Sequence, residues 1–202
     1  MRAKRDRAHY RRRRARLGCA RHQRWGIAMS RKTIKPKIDN PYPLDYTGEK
    51  IENFTYESPL VLIRDIEAVK MRGGKDDAEY VVGADYVVTF NFANEVNKRT
   101  IRVPKGMLTD LASVPRAAWT LVAPVGPHLE ASIVHDFLYI AWQDIGRAPQ
   151  SNDWLFADNA MRAGMIEAGV EPSQREMIYA AVRAFGWAVY KRPDPLPRYV
   201  EV

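Results

Sequence analysis

The chain has 202 residues, 46% of them apolar, with a formal net charge of +8 and a single cysteine, Cys19. That suits one globular domain plus a tail, with apolar side chains enough for a core. It excludes an internal disulfide and a cysteine-based zinc site, and no apolar run reaches the roughly 18 residues of a membrane-spanning helix.

The charge is unevenly placed. Residues 1–28 hold eleven Lys and Arg against one acid, Asp6, a net +10; the other 174 residues carry 21 bases and 23 acids, a net −2. The basic character belongs to the tail and says nothing about the body. Three readings of 1–28 stand: a basic disordered tail without a partner, an arm that neutralises nucleic-acid phosphates, or an over-called start before Met29, which opens MSRKTIKPKIDN. The last leads. No apolar stretch follows the charges, so the segment is not a secretory signal.

Residues 29–57, broken by Pro36, Pro41 and Pro43, read as a linker and entry segment that becomes ordered near 46–54. PLVLIRDI at 59–66 predicts a strand, and MRGGKDD at 71–77 a turn with Gly73 and Gly74 at positive φ. EYVVGADYVVTFNF at 79–92 is rich in Val, Tyr and Phe and alternates in its second half, the mark of a strand. A hairpin turn at 94–98 leads to RTIRVP at 99–104, which alternates again. Beyond Asp110, Ser113 caps a short helix through Pro115 and Trp119. Helices follow at 129–142, 152–168 and 174–190, the last opened by an S-x-x-E capping box from Ser173 and Glu176. Pro193, Pro195 and Pro197 close a single domain at 58–192 and leave a Pro-rich tail at 193–202. Strands first and helices second predict an α+β domain: an antiparallel β-meander, then a packed bundle of about three helices.

The helix carrying ASIVHDFLY at 131–139 is apolar on nearly every side, so it is a buried helix. His135 and Asp136 sit in its middle, and burying them is costly unless each finds a partner. Either a structural network holds them or a site uses them. Asp110, with Thr109 just after a strand, is the natural third member. Capping is the plainer role for Thr109 and Asp110. Tyr139 shares a helix face with His135 and Asp136, and core packing is its plainer role. On the next helix Asp153 lies near the start, where a carboxylate meets the helix dipole; Asp158 is the more interior of the two. Arg116 and Arg147 are each able to clamp a carboxylate or phosphate. A His-Asp pair also occurs in metal-dependent phosphohydrolases, but His9 and His22 are in the tail and only His128 remains. A Ser-His-Asp triad from Ser113, His135 and Asp110 has no nucleophile-elbow context. No Walker, G-x-G-x-x-G or H-E-x-x-H motif is present.

The strings GMLTDLASVPR, AAW, ASIVHDFLY, NDWLF and AVRAFGW, spread over roughly 58–190, resemble the phage and bacterial family known as domain of unknown function 1353. The resemblance marks Thr109, Asp110, Ser113, Arg116, His135, Asp136, Tyr139 and Asp153, and so favours Asp153 over Asp158. It implies a phage or prophage source, residence in the host cytoplasm or the virion, and phage structural proteins as partners. It implies no agreed reaction. The resulting expectation is a polar pocket in which Asp110, His135, Asp136 and Asp153 do chemistry and Thr109, Ser113, Arg116 and Tyr139 bind. Asp110, His135 and Asp153 would hold a divalent metal, and the target would be a bond in a cell-wall or phosphate-bearing substrate. The rival expectation is a non-enzymatic virion or assembly protein whose Asp-His cluster is structural.

Overall fold

Two short antiparallel sheets are built from the alternating segments. A computed structural model describes residues 31–71, 80–110 and 126–202. The tail at 1–28, Ser113 and Arg116 lie outside the described residues. In chain order the elements are β1 (Ile51–Tyr56), β2 (Leu62–Arg64), α1 (Ile66–Met71), β3 (Tyr80–Val82), β4 (Tyr86–Phe92), β5 (Arg99–Val103), β6 (Leu108–Thr109), α2 (Leu129–Asp144), α3 (Ser151–Glu167) and α4 (Pro172–Tyr190). The fold is α+β, as the order of elements predicts. No helix among the described residues is long and apolar enough to cross a membrane.

The single meander expected from the pattern is two sheets instead, with strand orders β1-β4-β5 and β2-β3-β6. The run at 79–92 is divided at Gly83, and its halves pair in different sheets. Gly83 donates its N–H to Val61 O at 2.7 Å, while the Asp85 carboxylate accepts from Lys105 N at 2.9 Å. Those bonds turn the chain between the sheets. β1 lies in the segment read as a linker. It carries a register shift between Glu52 and Thr55, with Asn53 at φ 49°. Asn is among the few residues that adopt this conformation readily, and its side chain bonds Asn91 Oδ1 at 2.8 Å.

Helix α2 sits at the centre. Ile133, Val134, Phe137 and Leu138 are buried in one cluster with Phe54 of β1, Val88, Phe90 and Phe92 of β4, and Phe156 of α3. Each such side chain contributes about 1.5–3 kcal/mol on burial. Tyr42 and Tyr46, also from the expected linker, join this core. The Tyr42 hydroxyl donates to Leu138 O and accepts from Trp142 N, so it bonds both ends of one rung of α2.

Two expectations about termini are corrected. The capping box of α4 is not formed: Glu171 is the N-cap and accepts from Gln174 N at 3.0 Å and from the Ser173 hydroxyl. Pro172 fixes the helix start two residues earlier than Ser173 would, since Pro is favoured at the first helical position. Glu176, freed from the cap, pairs with Arg162 at 2.8 Å. The C-terminal segment also returns to the body. Tyr199 and Val200 are buried and bridge Met107 and Thr33 respectively. The closure depends on Gly106, at φ +86°, where an added Cβ would lie 2.2 Å from the Val200 carbonyl oxygen. Gly106→Ala is therefore expected to cost several kcal/mol, from strain and from the loss of this closure, on the order of 3. A chemical-denaturation midpoint unchanged from the parent would refute that assignment.

Candidate functional site

His135 and Asp136 are neighbours on α2 and so point about 100° apart. They meet different partners. Asp136, partly buried, accepts from the Thr109 hydroxyl at 2.6 Å. Thr109 ends β6, whose pairing with Tyr80 of β3 fixes its place. Asp110 follows it and is exposed. Burial holds the Asp136 carboxyl well above the usual carboxylate range; the nearby Asp110 charge adds to this, and the Thr109 hydrogen bond opposes it. Proximity of two carboxyl groups in unlike surroundings is a common arrangement for proton transfer.

His135 is buried and turns to α3, where its Nε2 lies 2.9 Å from Asp158 Oδ1. Asp158 is fully buried and accepts twice more, from the Tyr139 hydroxyl at 2.7 Å and from Arg183 Nη1 at 2.9 Å. Arg183 stacks on Trp154 with 3.7 Å between guanidinium and ring centre, and Trp154 Nε1 donates to the Tyr139 hydroxyl at 3.0 Å. Gly186 makes room for this: a Cβ there would lie 2.2 Å from the Tyr139 hydroxyl. Residues of α2, α3 and α4 are thus joined through one carboxylate. Bonding to a carboxylate puts the His135 proton on Nε2, and Nδ1 has no hydrogen-bond partner among the described residues.

Asp110, His135, Asp136, Thr109 and Tyr139 all line one cavity of about 860 Å³ between α2, α4 and the 193–198 segment. Val182, Phe185 and Val189 of α4 give it an apolar wall. Arg192 and Arg198 also line it. Arg198 is committed to Asp144 at 2.5 and 3.0 Å, whereas Arg192 makes no ion pair among the described residues. The structure therefore brings five of the expected site residues to one surface.

Asp153 is not among them. It precedes Asp158 by five residues on α3, which turns it about 140° round the helix. It meets Arg147 Nη2 at 3.2 Å instead. That ion pair lacks hydrogen-bond geometry: Asp153 Oδ2 and Arg147 Nη1 are both buried without a hydrogen-bond partner among the described residues. Burial raises the Asp153 pKa, with Arg147 pulling the other way. The expected metal set of Asp110, His135 and Asp153 is accordingly corrected. Among the described residues no three His, Cys, Asp or Glu groups come together to hold a metal ion. His135 Nε2 is already taken by Asp158, and Asp153 faces Arg147. The partner that sequence reasoning set aside was Asp158, for which the interior position on its helix was the available signal. Arg183 had no signal of its own.

The fold and this surface define a small α+β domain with a carboxyl-lined cavity. A family model described as protein of unknown function (DUF1353) matches residues 86–182, and over that stretch the chain is similar to this family. The matched stretch runs from the start of β4 into α4 and takes in Thr109, Asp110, His135, Asp136 and Asp158, stopping one residue short of Arg183. No curated protein and no solved structure matches the chain.

Proposed function

We propose that the chain is a phage- or prophage-encoded hydrolase that cleaves a bond in a cell-wall or phosphate-bearing substrate within this cavity. The observation that carries the reading is the placing of Asp110, Asp136 and His135 on one cavity surface. Asp136, held protonated by burial and by the Asp110 charge, is suited to give its proton to a leaving group. Asp110 or His135 takes a proton from the attacking water. No step is routed through a metal, since the three-ligand set is not assembled.

The rival reading is a virion or assembly protein without an activity. The three donors on Asp158 favour it, because so well satisfied a network is what a structural cluster looks like. It explains His135 and gives no reason for two carboxyl groups, Asp110 and Asp136, to raise each other's cost by standing close.

The test uses the full chain on purified sacculi and on an aryl phosphodiester, with and without added Mg²⁺, Mn²⁺ or Zn²⁺. Asp136→Asn is expected to lower the rate at least about 100-fold, the scale of a lost general acid. An inert parent protein on both substrate classes, or an Asp136→Asn variant with the parent's rate, overturns the hydrolase reading.

A further inference from the structure

Resting on that reading, we infer that His135 is the proton acceptor of the site and that Asp158 is its positioning residue. The argument is one of occupied and unoccupied nitrogens. A neutral imidazole has one N–H and one lone pair. Asp158 receives the Nε2 proton at 2.9 Å, so the lone pair stands on Nδ1. Nδ1 has no partner among the described residues, although the ring is 2% exposed. A buried, unpartnered acceptor costs free energy in a folded protein. His135 is also among the residues that line the cavity of Asp110 and Asp136. A water-derived proton is what such a lone pair takes.

The elements around His135 prevent the imidazole from turning over. Tyr139 lies against it at a tilt of 41°, with ring centres 4.0 Å apart, and bonds the same Asp158 oxygen at 2.7 Å. Arg183 takes the other oxygen at 2.9 Å, which holds the carboxylate plane. In the hydrolytic step the attacking water gives a proton to Nδ1 as its oxygen bonds the substrate. The leaving group departs with the proton of Asp136, so the imidazolium and the Asp136 carboxylate return to their first states by one proton exchange with solvent. Asp110 then has the separate task of keeping Asp136 protonated.

Two measurements on the full chain read this without a substrate. Long-range ¹H–¹⁵N spectra are expected to show His135 as the Nε2-protonated tautomer, with Asp158→Asn moving it toward a mixture. Carbethoxylation by diethyl pyrocarbonate, mapped by mass spectrometry, is expected to modify His135 at least tenfold faster than His128. His128 is the internal reference, since its Nδ1 is also buried without a partner but it does not line the cavity. A proton on Nδ1, or a His135 as protected as His128, overturns the inference even if Asp158→Asn fails to fold. With an active parent, cleavage that survives His135→Asn at full rate overturns it too, and leaves the hydrolase reading standing. Inertness of the parent together with a reactive, Nε2-protonated His135 overturns the hydrolase reading and the acceptor role with it.

Discussion

Asp158→Ala is expected to be among the most destabilising single substitutions in this protein, at about 3–5 kcal/mol, the range for breaking a buried charge pair. The carboxylate is fully buried and accepts from three donors on two other helices: His135 and Tyr139 of α2 and Arg183 of α4. Its removal leaves the buried His135 N–H, the Tyr139 hydroxyl and the Arg183 guanidinium without their acceptor; Arg183 is partly exposed, as Arg147 is, so the cost falls chiefly on the His135 and Tyr139 donors. At a few degrees per kcal/mol for a domain of this size, the thermal midpoint should fall by on the order of 10 °C. Asp153→Ala is the control. Asp153 has one ion-pair partner at 3.2 Å, in poor hydrogen-bond geometry, and Arg147 is partly exposed and able to be hydrated. Its loss should cost clearly less. Equal melting losses for the two variants would show that Asp158 is no more than another buried acid.

The contrast between these two aspartates shows what was readable beforehand. The three helices were legible because apolar spacing and the breakers Gly146, Gly169 and Pro193 act within one or two turns of the chain. The helix ends were less so. Ser173 and Glu176 have the spacing of a capping box, yet Glu171 caps because Pro172 sets the first helical turn. The division of 79–92 was harder still, since Val, Tyr and Phe run through both halves and only Gly83 marks the break. β6, two residues long, has no periodicity to detect. At the site, the cost of burying His135 and Asp136 in an apolar helix was legible, and both have partners. Which partner His135 has was not, because Asp158 arrives from a helix 23 residues further on, and Arg183, which bonds Asp158, lies 25 residues beyond that. Asp158 was readable as interior, and its solvent exposure is 0%.

Asp136→Asn is expected to stabilise the protein at neutral pH while lowering the proposed hydrolysis at least about 100-fold. Burial and the Asp110 charge raise the Asp136 pKa in the folded state, with burial the larger cause. The sign follows from proton counting. Between the unfolded value, about 3.9, and the raised folded value, the native chain binds more protons than the unfolded one, so stability falls as pH rises through that window. Below the window the contribution is fully present, and above it the penalty for ionising Asp136 is complete. Asn is uncharged at every pH and keeps an oxygen for the Thr109 hydroxyl, which bonds Asp136 at 2.6 Å. The variant should therefore gain about 1 kcal/mol at pH 7, the usual yield of relieving a functional site's strain. Measured as the difference from the parent, the gain should shrink toward zero near pH 4. A structural network predicts the reverse: if the Asp136 carboxylate were held by its neighbours, Asn would weaken the fold, and the loss would grow with pH. Denaturation midpoints of parent and variant at pH 4, 5.5 and 7 separate the two. A difference that is negative and widening toward pH 7 would remove the raised acid on which the proton-donor role of Asp136 depends.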